Sequence, residues 1–163
     1  MTSSITQVAY ALDLALWAFS FGGTAWFFFV QSPMLLKWMG KERFLPIQMK
    51  MASVLFKALA LSVPLMFATT LIHGQEDFWL HAVTSGVAML GALTNAFIVG
   101  PRALRAGGSS LRDVRSGEEK DQSVGGFVSV GGGQASKVWH RLVVVFVLMM
   151  MGGLVAHAVV LVG

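Results

Sequence analysis

The sequence has 163 residues, of which 55% are hydrophobic and 12% are charged, and its mean hydropathy is +0.69. Soluble domains carry about 25% charged residues, so this composition predicts a fold whose solvent is lipid. Cysteine is absent, which excludes disulfides, thiolate metal sites and cysteine nucleophiles. The net charge of +4 does not predict nucleic-acid binding, because the basic residues occupy only two intervals and membrane topology accounts for both.

Four intervals are apolar enough to cross a bilayer, which takes about 20 residues of helix. They predict helices over residues 9–36, 51–73, 78–100 and 141–162. An open sheet cannot satisfy its backbone in lipid, so helix is the structure these intervals favour. The predicted fold is an all-α, integral membrane four-helix bundle that forms a single domain over residues 1–163.

The basic residues predict the orientation. All twelve Lys and Arg lie between the first and second spans, just inside the second at Lys57, or within residues 102–141. The opposite side carries only the acidic Asp13, Glu76 and Asp77. Since basic loops stay on the side from which the chain is inserted, we expect both loops to face the cytoplasm or matrix. We expect the mitochondrial inner membrane, by analogy with the small subunits of respiratory complexes.

The connection over residues 102–139 differs from the rest of the chain. It is polar and rich in glycine, and includes Gly131-Gly-Gly133 and a run of charges. Such a composition cannot bury a core of its own, so we predict a polar, Gly-rich loop.

Polar residues on the basic side form a predicted layer close to the ends of the spans. Its members are Lys57, Asn95, His140, Arg102 and Arg141. One interpretation is that they hold the headgroup of an anionic phospholipid. The other, which we favour, is that Lys57 extends to the interface while Asn95 bridges two helices.

A second polar layer on the opposite side holds the candidate chemistry. Asp13, His73, His81 and His157 lie near the ends of four different spans. His81 and His157 could reach a common level, as a b-type haem, a metal or a quinone site would require, with Asp13 as the supporting carboxylate. The alternative, which we favour, is that these histidines lie at the interface and pair with carboxylates, so that no cofactor is bound.

Three landmarks resemble a known family. Gly23 precedes Phe28-Phe-Val30-Gln-Ser-Pro33, the third span ends in Asn95-Ala-Phe-Ile-Val-Gly-Pro101-Arg102, and the fourth begins with Trp139-His140-Arg141. This pattern resembles the transmembrane-protein-205-like family of four-span membrane proteins, largely of unknown function. The resemblance implies a helical membrane bundle in which Asn95, Pro101 and His140 match the family pattern. The Gly-rich loop and Lys57 depart from it.

The sequence favours a non-enzymatic accessory subunit of a larger membrane complex, such as an organellar electron-transport assembly. No nucleophile elbow, phosphate loop or zinc-binding helix appears in it, and its partners would be membrane lipids and other membrane subunits. The alternative is a redox bundle that binds haem, a metal or a quinone through His81 and His157. A small transporter has less support, because the four spans show no evident repeat.

Overall fold

Four long helices make up the structure. The computed structural model describes residues 4–73, 77–105 and 134–162, without the side chains at 41, 42, 45, 46, 134–137 and 140. Glu76, residues 106–133 of the predicted loop and the side chain of His140 therefore lie outside the described residues. Helices α1, α2 and α3 span Ser4–Gly40, Ile47–His73 and Phe78–Arg105, and α4 spans Gln134–Val162. All four are long and apolar enough to cross a membrane, which confirms the all-α membrane bundle.

Helices α3 and α4 extend into the segment for which the sequence predicts a loop. Helix α3 continues through Pro101 to Arg105, and α4 starts at Gln134. The residues between Pro101 and Arg105 are Arg, Ala and Leu, which are strong helix formers. A proline disrupts a helix because it cannot donate the regular backbone hydrogen bond. Just before Pro101 the regular pattern of these bonds is already interrupted, so the helix can continue past the proline.

That interruption is a π-helical turn, and the described residues contain two such turns. They cover Trp26–Gln31 in α1 and Thr94–Val99 in α3. The N–H of Ser32 donates to the carbonyl of Phe27, and the N–H of Gly100 to that of Asn95. Each bond spans five residues instead of four, so each turn shifts the faces of its helix.

Gly40 forms the bend between α1 and α2. Helical structure otherwise runs from Ser32 to His73, but Gly40 has φ 72° and ψ 163°. This left-handed region is open to glycine at little cost. The bend returns the chain across the bilayer and places α2 antiparallel to α1.

Packing around the bundle is uneven. Helix α1 packs along α2, α2 along α3 and α3 along α4, whereas α1 and α4 touch at few positions. The α3–α4 contact is the closest, because a Cβ added at Gly91 would lie 2.9 Å from the Cβ of Met150, and one at Gly153 would lie 2.7 Å from the N of Ala88. The buried core is apolar: Phe56, Leu59, Val63, Met66, Ala88, Ala92, Val147, Met150 and Leu154.

Candidate functional site

Asp13 is a fully buried carboxyl group at the end of the bundle opposite the basic loops. Its side chain has 0% exposure. It shares the inner face of α1 with Ala9, Ser20 and Thr24, which are also buried. An ionised Asp within a span is unfavourable by about 3 kcal/mol, so its partners decide whether it can be tolerated.

Two other helices provide those partners. The Nε2 of His73 on α2 lies 2.5 Å from Asp13 Oδ2. The Nε2 of His157 on α4 lies 3.2 Å from both carboxyl oxygens. The Thr70 hydroxyl is 3.2 Å from Oδ2 and 2.9 Å from the carbonyl of Met66, so its single proton can serve either acceptor. Asp13 thus joins α1 to α2 and α4.

His81 on α3 completes a four-residue group, which we call the Asp–His cluster: Asp13, His73, His81 and His157. The His81 ring stands edge-on to the rings of His73 and His157, with centroids 5.9 Å and 5.5 Å away. It is 8% exposed, and its Nδ1 is buried without a hydrogen-bond partner among the described residues. Each of the four helices therefore contributes one member.

The hydrogen bonds define where protons can be held. An ionised carboxylate only accepts hydrogen bonds, so both rings that contact it carry their proton on Nε2. The Nδ1 of a neutral ring is then a lone pair. His157 Nδ1 is buried and has no partner among the described residues, which suits a lone pair better than an unsatisfied N–H. His73 lies at the end of α2 with a side chain that is 5% exposed, so it is better placed to take an additional proton.

The geometry does not suit haem. Bis-histidine ligation places the porphyrin between two rings, but the rings of His81 and His157 are in direct contact at 5.5 Å. The Nε2 of His157 is also directed at Asp13. Within the part of the chain that is described, no three His, Asp or Glu side chains are arranged to hold a metal ion.

The residues predicted on the basic side differ in their exposure. Lys57, Arg102 and Arg141 are exposed, whereas Asn95 is 1% exposed. Asn95 Nδ2 donates to the carbonyl of Val143 on α4 at 3.4 Å, which is the interhelical bridge that the sequence favours. The Arg102 guanidinium lies 5.5 Å from the Trp139 ring centre. Exposed basic side chains at this level suit the headgroups of membrane lipids.

Three interhelical contacts could not be predicted from the sequence. Thr70 reaches Asp13, Ser20 and Ser62 pair through their hydroxyls at 3.0 Å, and Trp17 Nε1 donates to the carbonyl of Leu154 at 2.7 Å. The sequence does indicate that Asp13 and Ser20 share one face of α1, because they lie seven residues, or two helical turns, apart. Which side chains of other helices meet that face depends on the rotation of each helix.

Four long apolar helices define the class of the protein: it is an integral membrane protein with an all-α bundle. Residues 15–108 match the family model described as "Domain of unknown function (DUF4149)". Because this match covers more than half of the sequence, the chain belongs to that family. No curated protein and no solved structure matches it.

This membership corrects the resemblance drawn from the sequence. The prediction of a transmembrane-protein-205-like family was wrong, because the family model that matches is DUF4149. The landmarks behind it were three short motifs with a few polar positions, Asn95 and His140 among them, which are too short to identify one family of membrane proteins. The matched segment includes His73 and His81, begins after Asp13 and ends before His157.

Proposed function

We propose that the Asp–His cluster is a proton-binding site, and that the function of this membrane protein is coupled to reversible protonation of the site. The observation that supports this most directly is the fully buried carboxylate that contacts two imidazoles at once. Buried ionisable groups in spans mark proton and ion pathways in membrane proteins.

Counting charge explains why one proton is the expected ligand. With Asp13 ionised and the histidines neutral, the cluster has a net charge of −1 in a region of low dielectric constant. One added proton converts an imidazole to imidazolium and leaves a neutral, hydrogen-bonded ion pair. A second proton would create a net positive charge beside the first, so it binds less readily. The cluster thus favours two states that differ by a single proton.

The location of the cluster supplies a route for that proton. His73 is the last residue of α2, and α3 begins at Phe78. Tyr10 packs edge-on against His73 with ring centres 5.5 Å apart and is itself 41% exposed. Water at this interface can therefore reach the edge of the cluster, while His157 and Asp13 stay fully buried.

The test measures proton uptake directly. Protein in lipid nanodiscs, in weakly buffered solution with an indicator dye, is brought from about pH 8 to about pH 5, the range over which imidazole titrates. We expect Asp13→Asn to take up one proton fewer than the unmodified protein, because no carboxylate remains to stabilise the imidazolium. Asp77→Asn, which changes an exposed carboxylate on the same side, serves as the matched control. Equal uptake by the Asp13 variant and this control would contradict the proposal.

An accessory subunit remains a second candidate. Helices α1 and α4 meet along an apolar groove lined by Trp17, Phe21, Val155, Ala158, Val159 and Val162, and no atom lies near a Cβ added at Gly22 or Gly152. These surfaces suit a neighbouring helix as well as lipid. Cross-linking in the native membrane, followed by mass spectrometry, would identify such a neighbour, and a lone chain would exclude it. A location in the mitochondrial inner membrane, with the basic loops in the matrix, can be tested by protease protection.

A further inference from the structure

Helices α1 and α3 carry the same features at a constant spacing. Their π-helical turns begin at Trp26 and Thr94, 68 residues apart, and prolines 33 and 101 follow at the same spacing. Buried residues at positions 13, 20, 24 and 27 of α1 match buried residues at 81, 88, 92 and 95 of α3. Because π-helical turns are rare, their equivalent placement in two helices that bury equivalent positions indicates that α1 and α3 are structural counterparts.

Helices α2 and α4 correspond in the same way. Buried positions 63, 66, 69 and 70 match buried positions 147, 150, 153 and 154, a spacing of 84. At the same spacing Met66 matches Met150, and His73 matches His157. The spacing of 84 between α2 and α4 exceeds the spacing of 68 between α1 and α3, because the connection from α3 to α4 is longer than the connection from α1 to α2.

The chain is therefore built from two equivalent helical hairpins, α1–α2 and α3–α4. Both hairpins cross the membrane in the same sense, but the twofold relation between them is broken in the packing, because α2 lies along α3 whereas α4 meets α1 at few positions. This repeat was not evident in the sequence, because the matched side chains are mostly not identical. Membrane proteins built from such parallel repeats place their ligand sites where the repeats meet, and the Asp–His cluster lies there.

We propose that position 81 is the counterpart of position 13 in the second hairpin, so that a carboxylate at either position can hold the single proton of the cluster against His73 and His157. The spacing of 68 that relates the two π-helical turns also relates positions 13 and 81. Asp13 contacts His73 and His157 by hydrogen bonds, and His81 contacts the same two rings edge-on. Its buried Nδ1 has no hydrogen-bond partner among the described residues, so a proton added there would lack an acceptor, and a carboxylate is the group that position 81 would need to take over the role of Asp13.

Among the described residues, four charged or titratable groups surround His81. His73 on α2 and His157 on α4 contact its ring, and Asp13 on α1 lies behind them. Asp77, which is exposed, accepts the backbone N–H of His81 at 3.1 Å through its own carbonyl. The ability of a carboxylate at position 81 to hold the proton rests on the proposed function, whereas the equivalence of positions 13 and 81 rests on the fold alone.

Exchanging the two residues tests the proposal. We expect Asp13→His alone to lose the proton uptake measured by the indicator dye, and the double variant Asp13→His/His81→Asp to regain it, because a carboxylate at position 81 can reach the same two imidazoles. The matched control is Asp13→His/Ser85→Asp. Ser85 is fully buried one turn along the same face of α3, but its counterpart is Trp17, so we expect no recovery. A folded exchange variant without uptake, or equal recovery in the control, would overturn the proposal.

If the exchange variant does not fold, two further measurements test the equivalence of positions 13 and 81. His81→Asp alone should take up one proton more than the unmodified protein, because a second carboxylate then faces the same two imidazoles, and equal uptake would contradict the equivalence of positions 13 and 81. Spin labels at exposed positions 12 and 71 of the first hairpin, and at their exposed counterparts 80 and 155 of the second, should give two distances that differ by no more than about 2 Å, the range over which packed helices vary in separation. The absence of native cysteines makes this labelling specific. A larger difference would disprove the equivalence. This outcome is independent of the proposed function, which fails if the unmodified protein takes up no proton.

Discussion

The two histidines that contact Asp13 occupy different surroundings, although each directs Nε2 at the carboxylate. His157 is enclosed on every side, with 0% exposure. His73 ends α2 and lies beside Tyr10. An imidazolium needs an acceptor for its second N–H as well as its first, and water can provide one only at His73. The same carboxylate therefore stabilises a mobile proton on one ring while it orients the other.

Removing the carboxylate should also destabilise the fold. In Asp13→Ala, the Nε2–H groups of His73 and His157 lose their acceptor, whereas the Thr70 hydroxyl can still donate to the carbonyl of Met66. Each unsatisfied buried donor costs about 1–3 kcal/mol. We expect the free energy of unfolding in mild detergent to fall by about 3 kcal/mol. Thr70→Val, which removes one donor but leaves the carboxylate and both imidazoles in place, should have a smaller effect. An Asp13→Ala variant as stable as the unmodified protein would show that these contacts contribute little.

At the level of helices, the second hairpin is packed more tightly than the first. Gly91 and Gly153 bring α3 and α4 into backbone contact, whereas no atom lies within 4 Å of a Cβ added at Gly23, the counterpart of Gly91. In lipid, where the hydrophobic effect does not drive helices together, such close approach supplies much of the stabilisation. Helices α3 and α4 therefore form the more rigid half, and α1, which carries Asp13, is the less constrained helix.

Adjacent glycines in α4 provide a matched test of this difference. An alanine at position 153 would place its Cβ 2.7 Å from the N of Ala88 and 2.9 Å from the carbonyl of Thr84, and overpacking of this kind costs about 1–3 kcal/mol. An alanine at position 152 meets open space and gains helix propensity. We expect Gly153→Ala to lower the thermal unfolding temperature and Gly152→Ala to leave it unchanged or raise it. Equal effects would mean that α3 and α4 do not meet at these residues.

For the whole molecule, the sequence predicts the spans well, because length and hydropathy alone determine which segments can cross a bilayer. It also places Asp13 and three histidines on one side of the membrane. It does not determine the rotation of each helix about its axis. Two π-helical turns add to that uncertainty, because each shifts the faces of α1 or α3 partway along the span.

Lys57 and Asn95 illustrate that uncertainty. The sequence predicts a similar depth in the membrane for both residues, yet Lys57 is exposed and Asn95 is buried against α4. The haem alternative depended in the same way on a rotation of α3 and α4 that would separate His81 from His157, and in the structure their rings touch. The repeat was not evident because equivalent positions share burial more than they share residue type.

The central claim is that the Asp–His cluster holds one exchangeable proton, and that His73 carries it. Nitrogen NMR of ¹⁵N-histidine-labelled protein in nanodiscs measures this directly, because the shifts of the two ring nitrogens distinguish a neutral imidazole from an imidazolium. As the solution is acidified from about pH 8 to about pH 5, we predict that His73 converts to imidazolium while His157 stays neutral with its proton on Nε2, and that Asp13→Asn abolishes the conversion. Conversion of His73 to the same extent in the Asp13 variant, or no imidazolium at His73 in the unmodified protein, would contradict the account.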